Sequence, residues 1–309
     1  MAPIGTGFGD VLISLPVIDV LIDRGEDVRL VTRSFRQAGI SPRIAGIKGE
    51  IAEEHLQLKA DDRYVNLREH PLQTDNIWGS AEFEGWFGPT RFEKIISIVA
   101  NDFGIPADFE NLRPLRFSKR DEAAGKIAFI PGSDGYYKHW PTTYWLQLRD
   151  VFDEAGLKIF VIGKPDESPA VKELLEHGMS WIKSPTPGEA IDLVSSCRLV
   201  VSVDTGLMHV ALQQGIPTIA FIHPKNYHIR TVRNCFNLFG IECPEKCGRE
   251  PITTPPGALA ASGLEVSLKF DHRPCQLAPS ESCMGAIQPG RVLDLLNERG
   301  LPPELIASG

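Results

Sequence analysis

The stretch Leu199–Ile222, LVVSVDTGLMHVALQQGIPTIAFI, constrains the fold more than any other part of the chain. Its opening run, Leu199-Val200-Val201, is apolar, and Ser202-Val203-Asp204-Thr205-Gly206 interrupts it. Leu207, Val210, Ala211 and Gln214 then recur at helical spacing. That order predicts a buried strand, a tight turn and a helix. Gly215-Ile216-Pro217 ends the helix and opens a second β-rich run, Ile219–Ile222. In a parallel α/β sheet the ligand crevice lies outside the carboxyl ends of the strands. A helix that begins there offers unpaired backbone N–H groups to an anion, so the Thr205-Gly206 turn reads as a phosphate cradle. The plainer reading is that Asp204 or Thr205 caps the helix and that His209, one turn in, is a packed histidine.

Two further strand ends carry the same kind of loop. Ser118–Lys126 is charged and reads as a linker, after which Ile127–Ile130 starts a fresh strand. This strand runs into Pro131-Gly132-Ser133 and, beyond, Lys138-His139-Trp140-Pro141, with Pro141 at a first helical turn. Lys138 beside such a loop suits a diphosphate as a mobile point charge. The strand Lys158–Ile162 ends in Gly163-Lys164-Pro165-Asp166-Glu167, where a carboxylate can accept ribose hydroxyls. Three strand ends with polar, glycine-containing loops on one sheet edge are what a nucleotide site looks like.

The N-terminal part is less regular. MAPIGTGFG leads into Asp10 and a helical pattern through Val11, Leu12, Leu15, Ile18, Leu21 and Ile22. Gly5, Gly7 and Gly9 leave room for a ligand near the backbone, and Asp10 near the helix start serves as a cap or as a catalytic base. Of the apolar strand that normally precedes such a loop only Ile4 remains, so the first strand is expected to be shortened or differently built. Val28–Val31 is the next expected strand. Arg29–Lys48 carries Arg29, Arg33, Arg36, Arg43 and Lys48 without an acid, although the whole chain has a net charge of -8. Such a patch recruits an anionic acceptor or forms a solvated face, with Arg33 and Arg36 the candidates. The aromatic, glycine-rich run from His70 to Arg91, with Trp78 and Trp86, suits a sugar surface or an insertion packed on the core. Phe92–Phe103 reads as an amphipathic helix through Ile95, Ile96, Val99 and Ala100.

With 309 residues the chain can form two domains of ordinary size. No apolar run reaches the roughly 18 residues of a membrane span, and no signal peptide is recognisable, so a cytoplasmic protein with at most peripheral membrane contact is expected. The acidic balance argues against nucleic acid as the main partner. Six cysteines in a reduced compartment do not suggest a disulfide framework. Cys243, Cys247, Cys275 and Cys283 suit tetrahedral zinc or iron, or pack unligated in a loop, whereas Cys197 and Cys235 read as buried apolar residues.

Asp204-Thr205-Gly206-Leu207-Met208-His209-Val210-Ala211 with Gly215-Ile216-Pro217 resembles the signature of glycosyltransferase family 9, the ADP-heptose:lipopolysaccharide heptosyltransferases. Gly9-Asp10-Val11-Leu12 with Pro16, and Pro131, Gly132, Lys138, Trp140 and Pro141, match two further segments of that family in the right order. The resemblance implies a GT-B fold of the α/β class, with two Rossmann-like domains facing each other across a cleft. We place them at 1–122 for the acceptor and 123–309 for the nucleotide sugar. It also implies Asp10 as general base, Lys138 as diphosphate ligand, and Asp204, Thr205, Gly206, Leu207 and His209 around the donor, with Ser133 in the same loop. Glu167, or Asp166, falls near the family's ribose carboxylate. One branch of the family holds iron with four cysteines, and in GT-B proteins a C-terminal helix such as Pro289–Leu296 can cross back to the N-terminal domain.

An inverting transfer needs such a carboxylate to take the acceptor proton and such cations to meet the departing diphosphate. No Asp-x-Asp metal motif stands in a suggestive context, so no catalytic Mg²⁺ is expected. A nucleotide-sugar epimerase of GT-B fold and a catalytically silent donor-binding member are the alternatives.

Overall fold

The structure, a computed structural model, describes residues 1–75, 91–133, 138–223, 235–240, 277 and 281–300. They divide into two compact units, one ending at Arg116 and the other starting at Phe117.

In the first unit β1 (Leu30–Thr32) pairs in parallel with β2 (Glu50–Ala52), Leu30 opposite Glu50. The strand expected at Ile4 is built earlier, by Met1 and Ala2. Met1 bonds to Arg29 O and accepts from Val31 N, the parallel pattern, while Ala2 forms a parallel bridge with Asn66. Four extended segments thus run side by side in one direction, and their carboxyl ends share an edge.

The glycine loop leads into α1 (Phe8–Ile13) and α2 (Leu15–Asp23), two helices where one was expected. Pro16 has no N–H to donate to Leu12 O, so the ladder breaks at Ser14. The Ser14 hydroxyl donates to Asp10 O (2.7 Å) and accepts from Ile4 N (3.1 Å), which fastens the loop to the break. Beyond β2 follow α3 (Pro71–Thr74) and α4 (Arg91–Asp102), the latter within a residue of the predicted bounds. The aromatic segment 76–90, with Trp78 and Trp86, lies outside the described residues.

The second unit holds a parallel sheet of β3 (Ile127–Ile130), β4 (Ile159–Val161), β5 (Leu199–Val203), β6 (Thr218–Ile222) and β7 (Cys235–Phe239), in the order β4-β3-β5-β6-β7. Burial of β3, β5 and β6 along their whole length explains why each is predominantly apolar rather than alternating. The helices α5 (Thr142–Glu154), α6 (Pro169–Glu176), α7 (Pro187–Ser196) and α8 (Gly206–Gln213) accompany them.

Phe129, Trp140, Trp145, Phe152 and Phe221 are the large side chains of this core. Trp140 stacks at 4.4 Å from Phe221 and meets Trp145 edge-on at 5.0 Å. Its indole N–H donates to Ile287 O (2.7 Å). The C-terminal helix α9 (Pro289–Glu298) is thereby fixed to the second unit, where Gln288 also donates to the Tyr144 hydroxyl (2.9 Å). Within that unit α9 packs against α5. Cys197 is a core residue whose thiol burial pushes up to about 12, the inert state expected of a small apolar side chain.

Trp140→Ala should cost about 3–5 kcal/mol in denaturant unfolding, since it opens a cavity and orphans Ile287 O. A loss below about 1 kcal/mol would show that Trp140 does not anchor this core.

Candidate donor site and the Asp10 loop

The order β4-β3-β5 means that the chain leaves β3 toward one side for β4 and returns on the other for β5. This reversal is the topological switch point, where an open parallel sheet leaves its crevice. The register Ile130 opposite Ser202 sets Pro131-Gly132-Ser133 beside Asp204. Ser133 Oγ donates to Asp204 O (3.2 Å). Lys138 Nζ lies 2.9 Å from Asp204 Oδ2 and 3.5 Å from its carbonyl oxygen. His209 Nε2, buried one turn into α8, is 4.0 Å from Asp204 Oδ1. Ser133, Lys138, Asp204 and His209, quoted from separate motifs, therefore stand together.

Thr205 occupies the N-cap of α8 in extended conformation, but its side chain makes no capping bond. The half-buried run Thr205-Gly206-Leu207 presents the helix N-terminus beside Lys138 and Asp204. A cation and the N–H groups of a helix start, side by side, suit a phosphate or diphosphate. Glu167 sits in the loop after β4, one strand further along the edge, exposed and paired with Lys164 (2.7 Å).

Two residues that did not stand out in the sequence hold this loop. His139 Nε2 is 3.1 Å from Ser133 O and 3.4 Å from Ser133 N, and burial pushes its pKa down, favouring the neutral ring. Ser168, the N-cap of α6, fills the space beside Gly132, where a Cβ would come within 2.8 Å of its hydroxyl. A histidine next to a lysine in a loop gives no sequence signal for that role.

In the first unit, Gly7 N–H donates to Asp10 Oδ2 (2.6 Å). A Cβ at Gly5 would lie 2.3 Å from the same oxygen. The glycines, read as room for a ligand, are in fact occupied by Asp10's own carboxylate. Gln37 is fully buried and ties this loop down: it donates to Gly5 O (2.8 Å) and accepts from Arg33 N (2.9 Å).

The basic patch is less free than its sequence suggests. Arg33 forms ion pairs with Glu53 and, at 2.5 Å, Glu69. The Glu53 pairing holds the Arg33 pKa above its ordinary value and pulls that of Glu53 below. Arg36 is exposed, its guanidinium 5.8 Å from the ring centre of exposed Phe35. Of the four cysteines proposed as metal ligands, Cys283 is buried in the apolar core and the other three lie outside the described residues, as does the side chain of Cys235. No helix of the described residues is long and apolar enough to cross a membrane.

Two α/β units, each with parallel strands, are the make-up of a GT-B fold. Solved structures share it. A family 9 glycosyltransferase from Veillonella parvula superposes with a TM-score of 0.63 at 15% identity, over all of this chain and 97% of that one. An E. coli heptosyltransferase with ADP-2-deoxy-2-fluoro heptose superposes with 0.58 at 14% identity, over 96% and 98%.

Residues 93–231, a little under half of the chain, match the model of "Glycosyltransferase family 9 (heptosyltransferase)". Lipooligosaccharide heptosyltransferase 2 of Haemophilus influenzae is 27% identical over 192 residues, 54% of this chain and 53% of that protein. The chain thus spans about half the length of the curated relative it matches.

Gly5→Ala should displace the Asp10 carboxylate, lowering stability by about 1–3 kcal/mol and speeding exchange of the Gly7 amide proton. Wild-type exchange at Gly7 would refute the glycine cradle.

Proposed function

We propose that the chain is an inverting glycosyltransferase that moves a heptose, or a related sugar, from an ADP-sugar to an acceptor hydroxyl in lipopolysaccharide or another glycan. The observation that carries this reading is the grouping of Ser133, Lys138, Asp204 and His209 with the N-terminus of α8 at the sheet's switch point. The family match and the donor analogue held by the E. coli heptosyltransferase support it.

In this reading Lys138 and the N–H groups following Thr205 bind the diphosphate and stabilise the charge it gains as the glycosidic bond breaks. Asp204 and His209 bind the donor sugar, and Glu167 the ribose. Asp10 takes the proton of the attacking acceptor hydroxyl. Its geometry suits a base, because the Gly7 N–H and the tight fit against Gly5 fix the carboxylate in one orientation. Arg33 and Arg36, with Trp78 and Trp86, are proposed to meet the acceptor. No metal is required for transfer.

The test is thermal unfolding with ADP-heptose and with ADP-, GDP- and UDP-hexoses in parallel, followed by transfer assays. At about 100 times its dissociation constant the true donor should stabilise by roughly 2.7 kcal/mol. Asp10→Asn should keep that shift and lose transfer by about a hundredfold or more. A wild-type transfer rate in Asp10→Asn would remove the base assignment, and a shift with UDP- or GDP-sugars alone would remove the donor.

Cys243, Cys247, Cys275 and Cys283 are further proposed to hold a structural zinc or iron ion, a role for which four thiolates are the apt donor set. Elemental analysis of the purified protein should find about one metal per chain, lost in Cys283→Ser; protein without metal would refute it.

A further inference from the structure

The loop from Ile4 to Gly7 leads from the extended Met1-Ala2 segment into α1, and its two glycines have little conformational preference of their own. Side chains hold it residue by residue. Ile4 N–H donates to Ser14 Oγ (3.1 Å), and Gly5 O accepts from Gln37 Nε2 (2.8 Å). Thr6 O accepts from Ser34 Oγ (2.6 Å), and Gly7 N–H donates to Asp10 Oδ2 (2.6 Å). Asp10 and Ser14 lie in α1 and at its end, whereas Ser34 and Gln37 come from the turn after β1.

Gln37 is the exceptional member of this set. Its N–H closes the turn by donating to Ser34 O (3.0 Å), and Phe35 and Arg36 are exposed at the tip, yet its side chain is fully buried. A buried amide is costly unless its groups are bonded, and an apolar side chain of the same length would fill the space without that cost. Both ends of this amide are used, because Oε1 accepts from Arg33 N (2.9 Å) while Nε2 donates to Gly5 O. A planar amide held at its oxygen and its nitrogen cannot pivot, so Gly5 O is fixed relative to the end of β1.

Gly5 in turn sets the room left for Asp10. A Cβ there would lie 2.3 Å from Asp10 Oδ2 and 2.5 Å from Cγ, so the carboxylate rests directly against the Gly5 backbone. A small shift of Gly5 would let the carboxylate turn and would lengthen its bond to the Gly7 N–H. That bond favours the ionised form of the carboxyl group.

We propose that Gln37 is a positioning residue for the Asp10 carboxylate, acting through Gly5. It fixes the direction of the oxygens and sustains the Gly7 bond. Its bearing on transfer rests on the function proposed above; its hold on Asp10 does not. A base that must meet one acceptor hydroxyl gains from a fixed approach, because misplacing reacting groups slows a reaction steeply.

The test compares the full chain with Gln37→Met, which keeps the length of the side chain and removes both hydrogen bonds. The Gly7 amide resonance in NMR spectra should shift as Asp10 titrates, a dependence that Asp10→Asn removes. In Gln37→Met the exchange of this amide should speed up about tenfold or more, and the midpoint of its titration should rise. In transfer assays kcat should fall about tenfold or more with KM for the donor unchanged, while the thermal shift with ADP persists. Gln37→Asn, one methylene too short to span both partners, serves if Gln37→Met fails to fold. Wild-type Gly7 exchange and midpoint in the variant that folds would overturn the proposal. Loss of the ADP response in that variant would overturn it too, since the effect would then not be confined to Asp10. An altered Gly7 resonance with a wild-type kcat would leave the hold on Asp10 standing and count against Asp10 as the base.

Discussion

The hydrogen-bonded ladder between β3 and β5 is the constraint on which the rest of the second unit depends. These strands lie far apart in sequence, and their pairing, Ile127 opposite Leu199 through Ile130 opposite Ser202, fixes which loop residues can meet. A slip by one residue would turn every inward side chain to the other face and carry Ser133 away from Asp204. Full burial on both faces forbids such a slip, since Phe129, Val201 and Val203 all sit in the same core. Apolar packing therefore sets the geometry of a polar site that it does not touch.

Trp140 links the two. It stands two residues after Lys138, stacks on Phe221 of β6 and donates to Ile287. The lysine's backbone is thereby tied to the sheet on one side and to the C-terminal segment on the other. The loop before it is set by close approach, Gly132 against Ser168 and Gly163 against Val171, where a Cβ would come within 2.8 and 2.6 Å. Side chains at these glycines would push α6 off the strand ends.

Much of the second unit was legible because strands buried on both faces write themselves as apolar runs: Ile127–Ile130 was read to the residue, β4 and β6 within one, and β5 two residues short at its end, where Ser202 breaks the apolar run. The first unit was less so, for physical reasons. A strand of two residues, Met1 and Ala2, carries no periodicity to detect. The break at Ser14 came from one missing N–H, at Pro16, inside an otherwise continuous helical pattern. Arg33 read as part of an acid-free patch because its acids, Glu53 and Glu69, stand 20 and 36 residues away. The glycines at 5 and 7 were rightly singled out and wrongly explained, since a sequence shows that space is needed but not which atom fills it.

The pairing of Lys138 with Asp204 bears on how a site of this kind can serve an anion and still be stable without one. A largely buried lysine with no counter-charge would cost several kcal/mol, and a buried carboxylate likewise. Pairing the two cancels most of that cost, but attraction and desolvation nearly offset each other in such pairs, so the net gain is small. Small net gain is the useful property here. A phosphate oxygen arriving at the start of α8 can take over Lys138 at little loss, because the helix N–H groups favour the same charge. Asp204 would then accept from hydroxyls instead, with His209 still within about one hydrogen-bond length and a half, 4.0 Å, of its other oxygen. Had evolution placed an apolar pair at these positions, the empty site would be as stable, but it would offer a diphosphate nothing to exchange.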